Sequence, residues 1–263
     1  MRTARVVRPL PAGGLRHRPH PGASRAPALV LAAHGSRDPR SAHVAQALAG
    51  RIRRLRPALE VHAAYLEQSG PHVVDVLSDA ARRRQPAVVV PMLLASAYHA
   101  RVDLPAAIET SGAMAQQADV LGEDPALVTL LGLRLAESGV SADQRELGVI
   151  VVAVGSSNRQ ANVDTATLAP ALTARTRWAG VEVAFATGPQ PTVAEAASRL
   201  RQAGARRLIV APWFLAPGLL TDRVAKSAAA LGIPMAQPLG SHNLVAATLL
   251  DRFDATQAVH VAA

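Results

Sequence analysis

Leu31-Ala-Ala-His-Gly-Ser36 recurs 120 residues downstream as Val151-Val-Ala-Val-Gly-Ser156. At the same offset Val61-His-Ala-Ala-Tyr65 faces Val181-Glu-Val-Ala-Phe185, and Pro71 and Val73 meet Pro191 and Val193. With one residue inserted, Pro91-Met-Leu-Leu-Ala95 then meets Pro212-Trp-Phe-Leu-Ala216. Two copies of one βα domain, fused and diverged, account for these matches. A tandem pair of this kind places its ligand in the cleft between the copies.

Working outward from the first match, Ala28–Ala33 is wholly apolar, as a strand buried on both faces is. Asp38 and Pro39 then supply an N-cap and a first-turn proline, and Val44, Leu48, Ile52 and Leu55 recur at helical spacing until Pro57. The same reasoning predicts a strand over Val61–Leu66, a helix opening at Pro71, a strand over Ala87–Leu94 and a helix over Arg101–Thr110. A short strand over Ala118–Leu121 and a helix over Pro125–Ser138 complete the first copy. Alternating strands and helices imply α/β architecture: parallel sheets with right-handed crossovers, flanked by helices. The expected organisation is a basic, disordered extension over 1–26 and two tandem domains, 27–140 and 141–263, with a cleft between them.

The 263 residues carry 28 positive and 19 negative side chains, but six of the arginines and none of the acids fall within Met1–Ala26. The body is left with 22 against 19, about +3. Nucleic-acid binders concentrate charge on a folded face, usually with stacking aromatics, and aromatics are only 3% here. The sequence pI near 11.4 owes its height to arginine, since Lys226 is the single lysine. With no cysteine, disulfides, zinc ribbons, iron–sulfur ligation and thiol nucleophiles are excluded, so a metal must use histidine or carboxylate. No apolar run approaches the ~18 to 20 residues of a membrane span, and the N-terminal segment has no apolar signal core. The protein is expected to be cytoplasmic and monomeric, with no membrane or nucleic-acid partner.

Where the two copies differ, polar groups have been lost: His34 faces Val154, Glu67 faces Thr187, and His99 faces Leu220. Each lies just beyond the carboxyl end of a strand, where open parallel sheets bind ligands. The first half is therefore expected to hold the site and the second to supply a wall. Singly, each residue has a plainer explanation: His34 as a strand-end cap, His99 as a surface residue at a helix start, Glu67 as a solvated carboxylate. Together, two imidazoles and a carboxylate can hold a borderline divalent ion loosely. Ser36 lacks the G-x-S-x-G elbow of a hydrolase nucleophile, and Ser156 persists in the copy without histidines. Neither G-x-G-x-x-G nor G-x-x-x-x-G-K-[ST] occurs, which removes the phosphate-cradling loops of nucleotide sites.

The stretches A-A-H-G-S-R-D at 32–38, Y-L-E at 65–67 and P-M-L-L-A-S-A-Y-H-A-R-V-D-L-P at 91–105 resemble the sirohydrochlorin chelatases of the CbiX/SirB type, class II tetrapyrrole chelatases, in their long two-domain form. The resemblance implies a metal-chelatase lyase that inserts Fe2+ or Co2+ into sirohydrochlorin, for sirohaem or cobalamin, with no ATP and no cofactor beyond the metal substrate. Carried over by position, His34 is similar to the metal-binding, proton-accepting histidine and His99 to the second metal-binding histidine. Glu67 falls where a substrate-proximal acid is expected and joins the metal ligands. Leu94, Ala95, Ser96, Ala97 and Tyr98 form the segment whose backbone lies along the macrocycle. Arg37 and Arg101, each close to one of the histidines, are candidates to meet the substrate's carboxylates as charge-assisted pairs. The rival reading is a non-catalytic tetrapyrrole or metal carrier on the same bilobal scaffold.

Overall fold

The computed structural model describes residues 25–96 and 98–262; positions 1–24 of the basic extension, Ala97 and Ala263 lie outside the described residues. Strands β1 (Ala28–Ala33), β2 (Val61–Tyr65), β3 (Ala87–Pro91) and β4 (Ala115–Gln117) form one parallel sheet in the order β2-β1-β3-β4. Strands β5 (Leu147–Ala153), β6 (Gly180–Phe185) and β7 (Arg207–Pro212) form a second in the order β6-β5-β7. Central β1 and β5 are buried on both faces because helices cover both sides of each sheet.

The internal duplication extends to the backbone ladder. Leu31 pairs with Ala63 and Val90, and Val151 with Val183 and Ala211. Met92 N–H donates to the Ala32 carbonyl at 2.8 Å, and Trp213 N–H to that of Val152 at 2.8 Å. Asp38 caps α1 (Pro39–Leu55) by accepting from Arg40 N–H, as Asn158 caps α5 (Arg159–Ala166) by accepting from Gln160 N–H. A side-chain acceptor at the N-cap is what the first turn's orphan donors require.

Several boundaries differ from the sequence expectation. β3 stops at Pro91 and the chain leaves the sheet as a loop, so Leu93 and Leu94 turn to a cavity wall. The fourth strand is Ala115–Gln117, and the apolar run after it leaves the ladder, with Leu121 fully buried and its N–H donating to the Leu93 carbonyl at 3.0 Å. An edge strand needs only one pairing, so a polar Gln116-Gln117 serves and hides the signal. Helix α2 (Val73–Arg82) starts two residues after Pro71, with His72 at its N-cap. The helix expected at Arg101 opens as a π turn, His99–Asp103, and becomes α3 (Leu104–Ser111) afterwards. Pro105 cannot donate to the Arg101 carbonyl, which removes the α-type bond that would straighten this turn.

The last helix of each half covers the sheet of the other. Helix α9 (Asn243–Ala262) packs on α1 and β3, while α4 (Pro125–Glu137) packs on α6 (Leu168–Thr173) and β7, and α4 and α9 touch each other. One apolar core consequently runs through both halves, joining Leu29 and Leu48 to Leu131, Val149, Leu249 and Phe253. Each such fully buried side chain contributes about 1.5–3 kcal/mol. Polar ties follow the same exchange: Arg252 donates to the Val120 and Leu121 carbonyls at 3.0 Å each and pairs with Asp124, and Arg134 donates to the Leu239 carbonyl at 2.8 Å. Among the described residues, no helix is long and apolar enough to cross a membrane.

Candidate functional site

His34 leaves β1 and His99 opens the π turn after β3; because β1 and β3 are neighbours in the sheet, 65 residues of sequence separation collapse to 4.1 Å between ring centroids. Gly35 lets the loop after β1 approach the loop after β2. Its φ of +93° lies in the region open to glycine, and a Cβ there would sit 1.7 Å from the Glu67 carbonyl oxygen. The chain thus brings Glu67, just past β2, against the His34 backbone, with Glu67 N–H donating to the His34 carbonyl at 2.9 Å.

Asp103, four residues past His99, accepts from His99 Nδ1 at 2.6 Å. Donor atoms of Glu67, His99 and Asp103 lie within 4.8 Å of one another, the only such histidine–carboxylate group among the described residues. His34 stacks beside this group at a tilt of 55° to His99 and keeps a buried Nδ1 with no hydrogen-bond partner. One imidazole and two carboxylates thus converge, with the His34 ring beside them, and such a set does not close a four-ligand cage, so an ion bound there keeps exchangeable positions.

The histidines line a cavity of about 420 Å³ between the halves. From the first half Leu94, Ala95 and Tyr98 join them; from the second come Val154, Ser156, Asn162, Thr165, Trp213 and Phe214. The wall is largely apolar and shaped by both copies, as expected of a cleft. Thr165 leads to a further carboxylate: its hydroxyl donates to Glu123 at 2.8 Å, and burial pushes the Glu123 carboxyl above its ordinary range despite that bond.

Of the residues singled out from sequence, His34, His99, Leu94, Ala95 and Tyr98 meet at this cavity. Glu67 stands exposed at its edge, beside His99 and Asp103. The Ser96 carbonyl accepts from the Asn158 side-chain amide of the other half at 3.2 Å, and Ala97 falls outside the described residues. Arg37 and Arg101 are exposed and lie outside the cavity lining. Sequence reasoning missed Asp103, although its i, i+4 spacing from His99 was readable as a helix-face pair, and it missed Glu123, for which no local signal exists.

In the second half the same positions are emptied of this chemistry. Val154 stands at the cavity surface in the place of His34, Thr187 uses its hydroxyl on the Val154 carbonyl at 2.8 Å, and Leu220 packs against the second apolar core.

A family model described as CbiX matches residues 28–138 and again 148–256. The sirohydrochlorin cobaltochelatase of Priestia megaterium is 26% identical over 204 residues, 74% of this chain and 66% of that protein. The chloroplastic sirohydrochlorin ferrochelatase of Arabidopsis thaliana is 32% identical over 113 residues, 40% of this chain and 50% of that one. The chain thus spans about two thirds of the first relative's length and half of the second's. Among solved structures, SirB from Bacillus subtilis with Fe3+ has the same fold, with a TM-score of 0.75 at 21% identity over 86% of this chain and 94% of that one. CbiX, described as the terminal enzyme of sirohaem biosynthesis in denitrifying bacteria, superposes with a TM-score of 0.65 at 22% identity over 88% of this chain and 99% of that one. With both halves of the duplication matched separately, the chain belongs to the CbiX family.

Proposed function

We propose that this protein inserts a divalent ion, Fe2+ or Co2+, into sirohydrochlorin, with His34 as proton acceptor and metal ligand, His99 as second metal ligand and Glu67 as carboxylate ligand. The observation that carries the reading is the pair of imidazoles, centroids 4.1 Å apart on the wall of a cleft between the halves, with two carboxylates beside one of them. Metallation must strip two pyrrole N–H protons from the macrocycle while a partly dehydrated ion is delivered. A neutral imidazole accepts a proton or binds a metal, but not both through one nitrogen, and two adjacent rings divide those duties.

Nitrogen and oxygen donors hold Fe2+ and Co2+ alike, and an incomplete shell lets the ion leave for the macrocycle. The apolar side chains of Leu94 and Phe214 suit the faces of a flat conjugated ring. The backbone of the segment Leu94 to Tyr98, with Ser96 and Ala97, is assigned to lie along the macrocycle, and the exposed Arg37 and Arg101 to meet the substrate's outer carboxylate arms. The reading calls for no ATP or organic cofactor, consistent with the absence of a glycine-rich phosphate loop. It takes residues 27–140 as the domain bearing the site and 141–263 as the wall, in a monomer that needs neither nucleic acid nor a membrane.

The test is direct. Purified protein mixed with sirohydrochlorin and Fe2+ or Co2+ is followed by the absorbance change of metallation. A rate well above the buffer control is expected; binding of the macrocycle without any rate increase would make the protein a carrier instead.

A further inference from the structure

We infer that Asp103 is a positioning residue that fixes the tautomer and orientation of His99, an inference that rests on the chelatase reading for its meaning but not for its structural test. His99 Nδ1 and Asp103 Oδ2 are 2.6 Å apart, the length of a charge-assisted hydrogen bond. An ionised carboxylate only accepts, so Nδ1 must carry the hydrogen, and Nε2 is left as the nitrogen whose lone pair is free for an incoming ion. The ring itself lies on the cavity wall beside His34. A carboxylate behind a ligating histidine raises its basicity and holds its ring plane.

The local backbone serves this pair. His99 and Asp103 begin and end the π turn, a rare winding that recurs at functional sites. Leu104, the next residue, is fully buried in the first half's core and Pro105 follows it, so the Asp103 backbone is anchored from the carboxyl side.

The internal duplication supplies an independent argument. At the offset of 121 residues that equates His99 with Leu220, Asp103 falls on Val224. Leu220 and Val224 lie in ordinary α-helix, α8 (Leu219–Ala230), and pack together against the second apolar core. Histidine and aspartate have been replaced as a pair by two apolar residues, and the π winding is absent where they are absent. A carboxylate kept only for helix solubility has no reason to follow the histidine in this way. Asp103 also lies near Glu67, so a direct role as metal ligand is the competing account that the experiment must separate.

The experiment compares Asp103→Ala and Asp103→Asn in the full chain. Asparagine can still accept the Nδ1 hydrogen through its amide oxygen but is a far poorer metal ligand. Alanine is expected to lower turnover about 10- to 100-fold, and asparagine to restore it to within a few-fold of wild type. In the metal-free protein, 15N-histidine NMR, with His99 assigned by its absence in His99→Gln, is expected to show His99 as the Nδ1–H tautomer in the wild type and in the asparagine variant, and as a tautomer mixture in the alanine variant. An Nε2–H tautomer in the wild type, or alanine turnover equal to wild type, overturns the assignment; so does an asparagine variant as impaired as alanine with a matching rise in metal KM, which makes Asp103 a ligand. Because the tautomer is read without substrate, its outcome stands even if the protein proves to be a carrier.

Discussion

The two halves share a backbone and differ in chemistry. Gly35 and Gly155 hold φ of +93° and +90°, and an added Cβ would strike a carbonyl oxygen of the following strand-end loop at 1.7 and 1.8 Å. Ser36 and Ser156 accept from the N–H groups of Asp38 and Asn158 at 3.0 Å each. The second half has kept these features of the strand-end loop although it lacks both histidines. The loop geometry is therefore a folding requirement of the βα unit, and the histidines and carboxylates are what one copy places upon it. The second copy in turn supplies Val154, Trp213 and Phe214 to the cavity wall.

This contrast can be broken most sharply at its functional end. His34→Ala and His99→Ala are expected to lower metallation by about 10²- to 10⁴-fold, the range of a lost acid–base or ligand group, with far-ultraviolet circular dichroism unchanged. Val154→Ala, at the position matching His34, should leave the rate within two-fold or so; a loss comparable to that of His34→Ala would dissolve the division of labour between the halves.

The structural end comes next. Gly35→Ala is expected to destabilise the protein by about 4 kcal/mol or more, because the new Cβ meets backbone and the φ is strained as well. Thermal denaturation measures this, and Gly155→Ala should match it within about 1 kcal/mol if the loops are equivalent folding elements. Wild-type stability in either variant would remove the loop from the list of shared requirements.

The exchange of terminal helices is tested by Leu249→Ala in α9, a fully buried residue of the joint core. A loss of about 2–5 kcal/mol is expected, in a single cooperative transition of both halves. If instead only one half melted earlier, the core would be two cores.

The smallest expected effect concerns Glu60, next to β2, which has no charged counterpart role in the site. Its carboxyl is held down at about 2, first by the Gln85 amide and then by His62 and Arg83. A lowered folded pKa means that its stabilising contribution is complete above the unfolded value near 4.3 and disappears as pH falls toward 2. Glu60 is 37% exposed, so solvent screening limits the contribution to about 1 kcal/mol or less. The wild type should lose this increment over Glu60→Gln between about pH 4.5 and 2 in denaturant titrations; parallel curves would assign Glu60 no role.

How far the sequence could be read follows from what each signal depends on. Ala28–Ala33 was legible because burial on both faces demands an unbroken apolar run. Ala115–Gln117 was not, because an edge strand makes no such demand. His34 and His99 stood out because the second copy, carrying Val154 and Leu220, served as an internal control. Asp103 needed the same control at Val224 and the π turn that joins it to His99. Arg37 and Arg101 were chosen for charge and proximity in sequence, and both are exposed.

The amino-acid sequence by itself determined the alternation of strand and helix, the duplication and the half that carries His34 and His99, since these rest on local periodicity and on residue identity. Only the tertiary structure decided that α4 and α9 change places, that β1 and β3 bring His34 within 4.1 Å of His99, and that Asp103 stands behind it. Those facts depend on which apolar faces meet after the chain has closed, and an apolar face on one helix is satisfied equally well by either sheet until all the others have been placed.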